Sequence, residues 1–141
     1  GLKHDETDGH VDNVACFARP GAVLINMPLD KSDENYPAMA DNLARLAHAS
    51  DAQGRKLEII ELPQPKKVRR RHDGTRLETT YINFYACNGA IIAPAFDDPM
   101  DERARRILAD AFPGREIVQV DALPVLEGGG GIHCITQQQP L

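Results

Sequence analysis

The chain has 141 residues, 42% of them apolar and 26% charged, with 16 Lys+Arg against 21 Asp+Glu and a formal net charge of −5. These values describe one globular domain with room for a core, and they exclude collagen-like sequence, a disordered chain and a disulfide-built miniprotein. A mildly acidic balance is a poor match for nucleic acid or an anionic membrane surface, and no apolar run approaches the ~20 residues that a membrane span needs.

Asp12 to Arg19 reads as a strand stopped by Pro20-Gly21, with Ala22-Val23-Leu24-Ile25 as its hairpin partner. A helix follows, capped by Ser32 or Asp33, with Pro37 in its first turn and Met39, Leu43, Leu46 and Ala47 at helical spacing. Gly54 stops it, and Leu57 to Leu62 form a strand. The order then returns. Tyr81 to Ala86 is a strand, Asn88-Gly89 a two-residue turn, and Ala90 to Ala93 the returning strand. Asp97 or Asp98 caps a second helix with Pro99 behind it, Ala104, Ile107, Leu108 and Ala111 make its apolar stripe, and Pro113-Gly114 ends it. Glu116 to Val120 closes the series. The expected fold is therefore α/β, with a strand–strand–helix–strand unit written twice, roughly at 12–62 and 81–120. Two units are few for a closed ring, so the chain reads as part of a larger repeat protein.

Between the units lies the basic run Lys66-Lys67-Val68-Arg69-Arg70-Arg71. Such a run can bind nucleic acid, but in an acidic chain a solvated connection between units is the plainer reading. The three cysteines, Cys16, Cys87 and Cys134, are too few and odd in number for an oxidised framework and fit a reducing cytosol. No secretory h-region opens the chain, and a cytoplasmic location is expected. The missing initiator Met suggests a processed or excised chain.

Two segments carry candidate chemistry. The first is Asp5-Glu6-Thr7-Asp8-Gly9-His10-Val11-Asp12-Asn13. On an extended backbone His10 and Asp12 project from one face, placing a proton carrier beside a carboxylate. His4, Asp5, Asp8, His10 and Asp12 could also ligate a metal, but no supporting motif or calcium-loop spacing accompanies them, and a capped surface loop accounts for them as well. The second is Glu127 to Gln138, with four consecutive glycines before His133 and Cys134. Glycines in a row cost chain entropy, and here they would let backbone approach a ligand around a nucleophilic thiolate. His133 would point away from Cys134 on a strand, which leaves His10 as the better acid–base partner. No Lys-Ser/Thr follows the glycines, so a phosphate loop is excluded. The alternative is a buried structural cysteine on a strand, the reading adopted for Cys16 and Cys87.

Thr7-Asp8-Gly9-His10-Val11-Asp12-Asn13, Tyr81-Ile82-Asn83-Phe84-Tyr85, Asn88-Gly89-Ala90, Phe112-Pro113 and Gly128 to Gln138 together resemble the C-terminal half of the agmatine deiminases, which belong with the bacterial-type peptidyl-arginine deiminases in the guanidino-modifying superfamily. The resemblance runs over essentially all of residues 1–141. It implies a five-bladed α/β propeller (pentein) of strand–strand–helix–strand units around a central site. It also implies Cys134 as nucleophile, His10 as general acid/base, Asp12 as a carboxylate gripping the guanidinium, and Asp8, Gly129 and Gly130 as further substrate contacts. The implied reaction is deimination of agmatine to N-carbamoylputrescine and ammonia, on the route to putrescine, through a covalent cysteine thiouronium, with no metal or organic cofactor. The alternatives are a peptidyl-arginine substrate and an inactive fragment that self-associates or pairs with a missing N-terminal half.

Overall fold

The computed structural model describes residues 2, 3, 7 and 9–139. Two three-stranded sheets carry the chain. In the first, β1 (Ala15–Arg19) runs antiparallel to β2 (Ala22–Met27), and β2 runs parallel to β3 (Glu58–Pro63). A parallel pair needs a crossover, which α1 (Tyr36–His48) provides. A two-stranded ribbon follows, β4 (Arg69–Arg70) and β5 (Arg76–Leu77). The second sheet has the connectivity of the first: β6 (Tyr85–Cys87) is antiparallel to β7 (Ala90–Ala95), which α2 (Asp101–Ala111) links to the parallel strand β8 (Glu116–Asp121). A short α3 (Leu123–Glu127) and a 3-10 turn (His133–Ile135) end the described chain. Both sheets are open, so the observed architecture is mixed α/β without ring closure.

Local chemistry explains the boundaries. Every residue of β2 is buried, as expected of the central strand of its sheet. Asp30 and Asp33 each accept a hydrogen bond from the backbone N–H two residues on, and these turns deliver the chain to Asn35, the residue before α1, not to a cap at Ser32 or Asp33. Asp98 accepts from the Met100 N–H at 2.8 Å, while the Asp101 carboxylate accepts from the N–H groups of Phe96 and Asp98 and from the Tyr81 hydroxyl at 2.7 Å. The second helix therefore starts at Asp101, later than Asp97 or Asp98 would place it. Burial and the adjoining carboxylate push the Tyr81 hydroxyl pKa up, keeping it a neutral donor.

The main core lies between the sheets. α2 packs on β8 and also on β3 of the other sheet, burying Ala104, Leu108 and Ala111. Tyr81 stacks obliquely on Phe96, and Phe84 meets Phe112 edge-on, each pair 5.3 Å apart. A smaller cluster of Leu2, Ile25, Met27 and Met39 lies under α1.

Three departures from the sequence reading matter for the site. Val11–Asn13 is a 3-10 turn, and β1 begins only at Ala15, so His10 and Asp12 do not share a strand face. Tyr81 to Phe84 are buried but not in a strand, which shortens the expected strand to Tyr85–Cys87. Cys134 sits on a 3-10 turn after α3, not on a strand, because the chain turns at Gly129, whose φ of 97 is open to glycine.

The basic connection is largely exposed, as expected of a solvated link, but several of its cations are paired. Lys67 and Arg69 pair with Asp97, and Arg69 donates to the Phe96 carbonyl at 2.6 Å. Arg76 is held by Asp33, Glu34 and Glu78, and Arg71 donates to the Leu126 carbonyl. These cations fasten the ribbon to loops of both sheets. Among the described residues no helix is long and apolar enough to cross a membrane.

Candidate active site

Two turns distant in sequence meet at the end of the sheets. The first is the Val11–Asn13 turn, closed by Asn13 N–H to the His10 carbonyl (3.2 Å) and Val14 N–H to the Val11 carbonyl (2.9 Å). The second carries Cys134. Gly129 occupies the left-handed region at φ 97, which turns the chain back from α3. A methyl group on Gly131 would lie 2.1 Å from Asn83 Oδ1, so close approach of backbone to a buried amide dictates glycine there.

Asn83 binds both turns. Its Nδ2 donates to Asp12 Oδ2 at 2.7 Å and to Asn13 Oδ1 at 3.1 Å, and its Oδ1 accepts from the His133 N–H at 2.9 Å. The residue is 3% exposed, so this amide is fixed, not solvated. Asp12 then spans the site. Its Oδ2 accepts from the Cys134 thiol at 3.5 Å, and its Oδ1 lies 3.8 Å from His10 Nδ1. One carboxylate thus stands between an imidazole and a sulfur, with the negative charge positioned to receive a cation above the thiol.

The structure therefore brings Cys134 and His10 to opposite oxygens of the Asp12 carboxylate. A cleft opens from the sulfur between the glycine run (Gly129, Gly130, Gly131) and the ribbon, where Arg71, Arg76 and Glu78 form the far wall. Asp8, expected among the substrate contacts, lies outside the described residues, as do His4 and Asp5. Among the described residues no three His, Cys, Asp or Glu side chains gather as metal ligands. Residue type alone does not single out Asn83, because an amide carries no reactive group. The available signal was a polar residue inside the otherwise apolar Tyr81-Ile82-Asn83-Phe84.

The other thiols contrast with Cys134, which is exposed. Burial pushes the Cys16 thiol up to about 11. A thiol at that value is only ~0.1% thiolate at pH 8. Iodoacetamide at pH 8 is expected to label Cys134 at least ~10-fold faster than Cys16, whose rate should climb about tenfold per pH unit toward 11. Peptide mapping of the alkylated, folded chain checks this, and equal labelling at pH 8 would contradict it.

An exposed thiol at the mouth of a cleft, with a carboxylate on its sulfur and an imidazole beyond that carboxylate, is an arrangement suited to cysteine-dependent chemistry. Comparison with known proteins gives the family. The model of the Porphyromonas-type peptidyl-arginine deiminases matches residues 1–140. Agmatine deiminase of Pseudomonas syringae pv. tomato is 45% identical over 156 residues, covering 99% of this chain and 42% of that protein. The structure of the agmatine deiminase of Enterococcus faecalis superposes with a TM-score of 0.90 at 36% identity, over 99% of this chain and 43% of that one. That of C. jejuni agmatine deiminase does so with a TM-score of 0.74 at 32% identity, over 90% and 38%. The chain belongs to the Porphyromonas-type peptidyl-arginine deiminase family. In place of the expected C-terminal half, the match supports a statement of length: the chain spans about two-fifths of the curated relatives it matches.

Proposed function

We propose that this chain is part of a longer deiminase in which Cys134 is the nucleophile, His10 the general acid and base, and Asp12 a carboxylate that grips a guanidinium. The observation that carries the reading is the placement of Asp12, with one oxygen toward His10 and the other on the Cys134 thiol. A guanidinium carbon is a weak electrophile because its charge is spread over three nitrogens. Holding those nitrogens on a carboxylate beside the sulfur converts a bimolecular attack into a positioned one, which can be worth several kcal/mol of barrier (~7–11 in the best cases).

When the substrate's cation takes the Asp12 oxygen, the Cys134 proton passes to His10 and the thiolate adds to the guanidinium carbon. His10 donates a proton to one terminal nitrogen, the C–N bond breaks, and ammonia departs, leaving an S-alkylthiouronium on Cys134. His10 then takes a proton from water, the hydroxide adds to the same carbon, the C–S bond breaks, and the product leaves as a urea. Asp8, Gly129 and Gly130 are proposed as further substrate contacts, the glycines because they line the cleft beside the sulfur.

Agmatine, giving N-carbamoylputrescine, is the proposed substrate, supported by the names of the relatives in Pseudomonas syringae pv. tomato and Enterococcus faecalis. A peptidyl-arginine substrate is the second reading, favoured by the family's own description. The two strand–strand–helix–strand units are proposed as two of five blades of a propeller. The remaining blades would then cover the exposed apolar side chains Val11, Phe17 and Ile135. A cytoplasmic location accords with the free cysteines.

The test supplies the full-length protein with agmatine, free arginine and an arginyl peptide, with ammonia as the readout. Ammonia and N-carbamoylputrescine are expected in equal amounts from agmatine. Turnover of the peptide alone would replace the first substrate by the second, and silence on all three would remove the deiminase reading.

A further inference from the structure

Asn26 is the one polar side chain in β2, whose six residues are all buried, and it is 1% exposed. A buried amide in the central strand of a sheet is costly unless both of its ends are bonded. Here only one end is. Nδ2 donates to the Asn13 carbonyl at 3.1 Å, while Oδ1 is buried with no hydrogen-bond partner among the described residues. An apolar side chain at this position would remove that unpaired oxygen, which offsets the loss of the bond to the half-buried Asn13 carbonyl, so stability alone gives little reason for asparagine.

What the amide does secure is the turn that carries Asp12. The Asn26 backbone N–H donates to the Val14 carbonyl at 2.9 Å, and its side chain takes the carbonyl of Asn13. Asn13 directly follows Asp12 and presents its own side-chain oxygen to Asn83. One residue of the central strand thus bonds the last residue of the Val11–Asn13 turn through its side chain and the residue after it through its backbone. The short 3-10 turn has no buried residue of its own to anchor it.

We propose that Asn26 is a positioning residue that fixes the Val11–Asn13 turn, and with it the direction of the Asp12 carboxylate relative to the Cys134 sulfur. This rests on the deiminase reading for its functional consequence. A carboxylate displaced by a fraction of an ångström still attracts a cation, because Coulomb attraction falls slowly with distance. Attack on a planar carbon depends far more steeply on alignment.

The test is Asn26→Leu, close in volume and unable to donate, with Asn26→Asp as a second variant that keeps the shape but sets a carboxylate against the Asn13 carbonyl. In the full-length protein Asn26→Leu is expected to melt no lower than the parent. Its kcat on agmatine should fall about 10- to 100-fold while KM changes less than about threefold. Asn26→Asp should lose at least as much kcat. A second measurement uses this chain without turnover: the rate of Cys134 alkylation by 2-chloroacetamidine, a cation, relative to iodoacetamide, which is neutral. That ratio should fall at least about fivefold in Asn26→Leu, since only the cationic reagent reads the aim of Asp12. If the parent protein is silent on every guanidino substrate, the deiminase reading fails, and the alkylation ratio still decides the role of Asn26. Melting temperature and ratio falling together would make Asn26 merely structural and overturn the proposal. An unchanged ratio and unchanged kcat would overturn it as well.

Discussion

Asp12→Asn in the full-length protein is expected to lower kcat/KM on agmatine by about 10³ or more, which is ~4 kcal/mol of transition-state stabilisation, while leaving the melting temperature within a few degrees of the parent. The substitution keeps the shape of the side chain. Its oxygen can still accept from Asn83 Nδ2, the bond that holds residue 12 at 2.7 Å in the folded chain. What it removes is the charge that lies 3.5 Å from the Cys134 sulfur and 3.8 Å from His10. A guanidinium then finds an amide dipole where a charge-assisted bond had fixed its plane, and such bonds are about twice as strong as neutral ones. Steady-state ammonia release and a thermal melt check both halves. Parent-like turnover would show that Asp12 does not grip the substrate.

Gly131→Ala is expected to cost about 10²-fold in turnover with a modest loss of stability, about 1–3 kcal/mol of overpacking strain. The added methyl would sit 2.1 Å from Asn83 Oδ1 and 2.7 Å from its Cγ, and the 3% exposed amide has no solvent to swing into. Moving Asn83 breaks its acceptance from the His133 N–H and its donation to Asp12 together, so both turns of the site lose their common anchor. Gly89→Ala provides the contrast. Gly89 has φ +80 in the β6–β7 turn with nothing within 4 Å of an added methyl, so it should cost about 1 kcal/mol of backbone strain and leave kcat unchanged. Equal turnover in the two variants would refute the assignment of Asn83 as the link.

Much of the architecture is legible in the residues themselves. Ala22 to Ile25 and Ala90 to Ala93 are short apolar runs bounded by Pro20-Gly21 and Asn88-Gly89, and both form central strands. The stripe of Ala104, Leu108 and Ala111 is buried in α2 as its spacing requires. Boundaries were less legible where side chains compete with backbone. Asp98 and Asp101 bond the chain ahead of α2 and delay its start, and Asp30 and Asp33 do the same before α1. At the site, residue types and motif order nominate Cys134, His10 and Asp12, but an extended backbone for His10 and Asp12 was the wrong geometry. The 3-10 turn aims Asp12 inward between the other two, which strand alternation would not have done.

Composition, periodicity and the glycine run determine on their own that this is an α/β chain with a cysteine held close to backbone, since those depend on neighbours in sequence. Only the tertiary structure decides which carboxylate meets that cysteine and what holds it there. The bond from Asp12 to Cys134 spans 122 residues, and the two amides that anchor it, Asn83 and Asn26, carry no reactive signature. Their roles come from burial and direction, and those exist only once both sheets have packed.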